Sequence, residues 1–260
     1  MPDLLANGLS FHAQLLGQGP PAVVFLHGVV MDNLSSWYFS VAPAAARVAP
    51  VLLYDLRGHG RSERPATGYT IADMVADLGA LLDAAGARPK VHLVGNSMGG
   101  LVALAFALAR PERVASLVLV DAHVSDGGFG EQMAGTLLLE GAARDAAIAT
   151  HFADWLGRHS ERKRNKLAEN ASALVWGTSL VTDLRANPPF DPAALRALSV
   201  PVLALYGEQS DIRDRGEALA ATLPDCTLHL LPGCSHSVIW EATVQVRQAI
   251  VDWLHIHEGA

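Results

Sequence analysis

Val91-His92-Leu93-Val94-Gly95-Asn96-Ser97-Met98-Gly99-Gly100 runs from an apolar strand into a serine flanked by glycines, and Leu101 to Ala109 continues as a helical stretch. A serine on so sharp a strand-to-helix turn sits in strained backbone geometry. The positions two before and two after it must be nearly free of side chain so that strand and helix can approach. Gly95 and Gly99 meet that need. A plain helix N-cap would not require glycines on both sides, so Ser97 is a candidate nucleophile.

Other polar residues that could serve such a serine each follow an apolar strand. Ala22 to Leu26 ends in His27-Gly28-Val29, Val202 to Tyr206 leads into Gly207-Glu208-Gln209-Ser210-Asp211, and Leu228 to Leu231 leads into Pro232-Gly233-Cys234-Ser235-His236. In a parallel sheet the carboxyl ends of strands share one edge, so residues far apart in sequence converge there. Strand-length and helix-length patterns alternate along the chain, as expected for a parallel sheet covered on both faces. The start differs. Leu4 to Ala6 and Ser10 to Leu16 flank Asn7-Gly8, a strong hairpin signal, so the sheet is expected to open with an antiparallel ribbon.

With the order Ser, Asp, His, the chain resembles the α/β-hydrolase fold family in its single-domain esterase, lactonase and carbon-carbon hydrolase branch. The resemblance spans nearly the whole chain and includes the loop Asp55-Leu56-Arg57-Gly58-His59-Gly60-Arg61-Ser62. It implies an α/β fold: a mostly parallel eight-stranded sheet with an antiparallel first hairpin, helices on both faces, and a helical lid after the sixth strand. On this reading residues 1–124 and 191–260 form the core and 125–190 the inserted lid of one domain. It also implies a triad of Ser97, His236 and Asp211, with the backbone N–H groups of Val29 and Met98 as oxyanion hole. Asp121, closing the strand Leu-Val-Leu-Val-Asp, is the alternative acid. His27 and His59 would shape the loops around the oxyanion hole. In the lid, Met133, Leu137, Leu138, Phe152, Trp155, Leu174 and Trp176 are candidate pocket walls, or else residues that fasten lid helices to the body.

Composition is compatible with a hydrolase of this kind. The chain has 260 residues, 50% of them hydrophobic, enough for one large core. No run approaches the ~18 apolar residues that a membrane span needs. The N-terminus lacks the basic and long apolar segments of a signal peptide, so a cytoplasmic location is expected. A net charge of -7 disfavours nucleic acid and anionic membranes as partners. Cys226 and Cys234 are expected as free thiols. No metal-ligand pattern, phosphate loop or dinucleotide fingerprint is present, and no cofactor is expected.

The expected activity is cleavage of a carboxylic ester, lactone or thioester of a small apolar acyl compound through an acyl-enzyme. The alternative is a carbon-carbon hydrolase acting on ring-cleavage products, since Gly95-Asn96-Ser97-Met98-Gly99-Gly100 is typical of their elbows. A ligand receptor on the same fold is the reading from a different class.

Overall fold

A computed structural model describes residues 3–143 and 161–258. Asn7 and Gly8 both take positive φ, at 48° and 75°, the backbone a two-residue hairpin turn demands. They join β1 (Leu4–Ala6) to β2 (Leu9–Phe11) in antiparallel register. This ribbon forms its own two-stranded sheet, so among the described residues the central sheet has seven strands rather than eight. Its members are β3 (Ala13–Leu16), β4 (Val23–Leu26), β5 (Val51–Tyr54), β6 (Val91–Asn96), β7 (Val114–Val120), β8 (Val202–Gly207) and β9 (Cys226–Leu231). They lie in the order β3-β5-β4-β6-β7-β8-β9, all parallel except β3, which pairs antiparallel with β5.

Strand alternation divides the core into two layers. Val24, Leu26, Leu52, Leu117, Leu119 and Tyr206 pack with the helices Ile71–Ala84 and Met98–Ala109 on one face. Val23, Phe25, Leu53, Val118, Val120 and Leu205 pack with Trp37 and the helix Thr243–His257 on the other. Because both faces are covered, the strands are almost continuously apolar. The helix Ile71–Ala84 starts at a reciprocal cap. Thr70 Oγ1 accepts from Asp73 N–H (3.0 Å), and Asp73 Oδ2 accepts from Thr70 N–H (3.1 Å). Such a cap contributes about 1 kcal/mol.

The chain passes from β4 to β5 on one side and then returns to place β6 on the other. That reversal leaves a crevice beyond the carboxyl ends of β4 and β6, where open α/β sheets bind ligands. Between β7 and β8 the described residues hold the helices Phe129–Leu137, Glu161–Gly177, Leu180–Arg185 and Pro192–Ala197, and no strand. No helix among the described residues is long and apolar enough to cross a membrane. Both cysteines are free.

Candidate active site

Ser97 takes φ 51° and ψ −120°, a conformation that a side-chain-bearing residue adopts only when its surroundings enforce it. Those surroundings are glycines. A Cβ on Gly95 would stand 2.5 Å from the Gly99 carbonyl carbon, and one on Gly99 would run into the carbonyl oxygens of Leu26 and His27. The elbow thus exists because strand, turn and helix backbones touch at residues without side chains. It is held by Ser97 N–H donating to Val120 O (3.1 Å) and His123 N–H donating to Ser97 O (3.1 Å).

His236 lies on the loop after β9. Glu241 pins this loop by accepting from the Ser235 N–H (2.6 Å) and Oγ (2.7 Å). His236 Nε2 is 3.1 Å from Ser97 Oγ, and Nδ1 is 2.9 Å from Asp121 Oδ1. A carboxylate only accepts, so Nδ1 carries the proton in this pair and Nε2 of the neutral ring is free to accept from the serine.

The acid beside His236 is therefore Asp121, and the expectation of Asp211 is corrected. Asp121 is 1% exposed and follows β7 with a positive φ of 42°, which turns its carboxylate toward the histidine loop. It accepts from Gly207 N–H (2.7 Å), Ser210 Oγ (2.5 Å) and His236. The loop after β8 thus offers Ser210 to the site as a donor, while Asp211 is exposed at the cavity wall. Gly207 also serves closeness: a Cβ there would collide with the carbonyl oxygens of Cys234 and Ser235 in the histidine loop.

Burial pushes the His236 pKa down, yet the hydrogen bond and charge of Asp121, helped by the charges of Asp211 and Glu241, outweigh it and hold the pKa above the usual 6.5.

Two backbone N–H groups near the serine are left without an acceptor among the described residues. The loop after β4 spends its neighbouring N–H groups internally: Gly28 N–H on Asp32 Oδ2 (2.8 Å) and Val30 N–H on His59 Nε2 (2.8 Å). Val29 N–H, between them, and Met98 N–H, at the start of its helix, have no acceptor among the described residues. Val30 sits at φ 67°, strained for a β-branched residue. Burial, then the charge of His27, pushes His59 down to about 3, so its ring is neutral. Its Nδ1 donates to Arg57 O (2.8 Å), which leaves Nε2 as the acceptor that fixes this loop. His27 acts similarly, with Nε2 accepting from Leu56 N–H (2.9 Å).

Ser97, His236 and Asp211 open on a cavity of about 770 Å³, together with Val29, Met133, Leu137 and Trp176. Trp155 and Phe152 lie outside the described residues. Leu174 is instead part of the main core, and Leu138 packs beside Ala134 and Val175, so these two fasten rather than line. Sequence reasoning passed over His123, which lines the cavity with its ring 5.5 Å from that of His236. Its place three residues beyond the end of β7 was the available signal. Among the described residues no group of three or more metal-ligating side chains is gathered.

The family model for the alpha/beta hydrolase fold matches residues 21–243. A protein of Variovorax paradoxus (strain S110) that bears a carbamate-hydrolase name, RutD, is 31% identical over 95% of this chain and 96% of its own length. The 2-hydroxy-6-oxononadienedioate/2-hydroxy-6-oxononatrienedioate hydrolase 2 of Pseudomonas putida is 31% identical over 95% of this chain and 92% of its own. Among solved structures, an esterase from Thermogutta terrifontis superposes with a TM-score of 0.79 at 26% identity, covering 98% of both chains. A serine on a strand-to-helix elbow, a histidine after the last strand and a matching model over most of the chain lead to one conclusion: this protein is a hydrolase of the α/β-hydrolase fold family.

Proposed function

We propose that the protein is a serine hydrolase that cleaves a carboxylic ester, lactone or thioester of a small, largely apolar acyl compound. The observation that carries this reading is the continuous relay Asp121–His236–Ser97 at the mouth of the cavity. Ser97 Oγ attacks the acyl carbon as His236 Nε2 takes its proton, and Asp121 holds the imidazole and balances its positive charge. The tetrahedral oxygen accepts from Val29 N–H and Met98 N–H, each worth about 3 to 4 kcal/mol where such donors have been removed from other enzymes. His236 then protonates the leaving group, and water releases the acyl chain by the reverse route. The described parts of the 125–190 segment, residues 125–143 and 161–190, serve as a lid over the acyl pocket, supported by Met133, Leu137 and Trp176 on its wall.

The second reading is carbon-carbon hydrolysis, favoured by the name of the Pseudomonas putida relative. A carbon leaving group must first be made competent by protonating a conjugated dienol, which needs polar groups around the substrate. The loop Val29-Val30-Met31 on the cavity wall supplies none from its side chains, whereas Asn96 and His123 on the same wall do offer polar atoms. On the first reading, short-chain aryl esters are expected to exceed a ring-cleavage dienoate in kcat/KM by at least ~100-fold, about 2.7 kcal/mol of transition-state stabilisation. Both substrates assayed on one preparation decide it. A faster dienoate would make the second reading the better one.

A further inference from the structure

Among the described residues the fixed charges on the cavity wall are of one sign. Asp32, Glu140 and Asp211 line it, and no lysine or arginine does so among the described residues. Its other ionisable members are histidines. His236 is matched by Asp121 at 2.9 Å. His123 is 8% exposed, and neither of its ring nitrogens has a hydrogen-bond partner among the described residues. Burial, then the charges of His236 and Arg215, pushes His123 down to about 3, so it brings hydrogen-bonding capacity without charge. Arg215 does not line the cavity. It is held by Asp126 Oδ2 at 2.7 Å and by Gln132 Oε1.

An anionic group entering this space would leave water, find no lysine or arginine among the described lining residues, and meet carboxylates on the wall. A neutral chain meets Val29, Val30, Leu137 and Val175, and a cationic terminus meets Asp211 or Glu140.

We infer that this site selects uncharged or cationic acyl substrates and rejects those whose acyl chain ends in a carboxylate, with His123 as the neutral polar contact beside the reacting bond. The inference rests on the reading of the cavity as the acyl site, and it separates this protein from its relative named for a dienedioate, a substrate with two carboxylates.

Three esters of matched length test it: 4-nitrophenyl pentanoate, mono-4-nitrophenyl glutarate and 4-nitrophenyl 4-(trimethylammonio)butanoate. Their affinities are measured by calorimetry on Ser97→Ala, and their turnover on the unaltered protein. The glutarate is expected to bind at least tenfold more weakly than the pentanoate, and the cationic ester at least as tightly. Glu140→Gln combined with Asp211→Asn in the Ser97→Ala background should narrow the glutarate-to-pentanoate gap. Glutarate affinity within tenfold of pentanoate, or a gap unmoved by the two substitutions, would overturn the inference. Turnover is a separate readout: if no ester is hydrolysed, the serine-hydrolase reading fails, while the affinities still decide the charge preference.

Discussion

Asp121 and His236 meet at 2.9 Å across 115 residues of chain, and Ser210 donates to the same Asp121 oxygen at 2.5 Å. One carboxylate, buried at the end of β7, thus gathers the histidine loop and the loop after β8. The acid expected from the sequence, Asp211, reaches His236 through its charge rather than a hydrogen bond.

Asp121→Asn should fold and lose about ten-thousand-fold in kcat, because the amide no longer fixes the imidazole tautomer or balances its charge. Asp211→Asn should keep kcat within about tenfold, since the geometry around Ser97 is unchanged and only a screened charge is lost. Steady-state kinetics on the two variants check this. Inactivation by Asp211→Asn alone would place the acid elsewhere.

The acidic limb of kcat/KM should have its midpoint above 6.5, because the pKa of His236 is raised and the base is lost as the pH falls through that value. Replacing Asp211 by Asn removes one of the charges favouring the imidazolium, so the midpoint should move to lower pH. The stability that the ion pair contributes has the same sign. It is fully present below the unfolded histidine value and is lost as the pH rises through the folded one. A pH profile of both proteins, with a limb centred below 6.5 or moving upward in the variant, would contradict this.

His59→Ala removes the acceptor of Val30 N–H and frees a residue held at φ 67°. Relaxation of that loop displaces the adjacent Val29 N–H. The expected result is a fall in kcat of at least ~10-fold, bounded by the ~100- to 1000-fold cost of losing a donor, with KM changed by less than about threefold. A raised KM at unchanged kcat would assign His59 to ground-state binding instead.

Much of this architecture was legible because it follows from local chemistry. Asn7-Gly8 specifies a hairpin turn, and glycines around Ser97 specify an elbow. Ser97 and His236 could be located because each follows a strand whose carboxyl end must lie on one edge. The choice of acid was not legible. Asp121 and Asp211 both follow parallel strands, and what separates them is a backbone torsion and a neighbour. Asp121 turns inward at φ 42°, and Ser210 fills the space that an acid after β8 would need. Gly207, which in sequence reads as a turn before Asp211, instead lets the histidine loop approach β8. The strand count was missed for a similar reason, since the first ribbon pairs with itself and not with the central sheet.

In the proposed mechanism the acyl group is carried on Ser97 Oγ. Rapid quenching of 4-nitrophenyl butanoate turnover, followed by mass analysis of the peptide containing residue 97, tests it directly. The predicted result is an acyl mass increment on Ser97 in the unaltered protein and none in Ser97→Ala, whose turnover should fall by on the order of a million-fold. An adduct on another residue, or a Ser97→Ala variant that keeps a tenth of the activity, would contradict it.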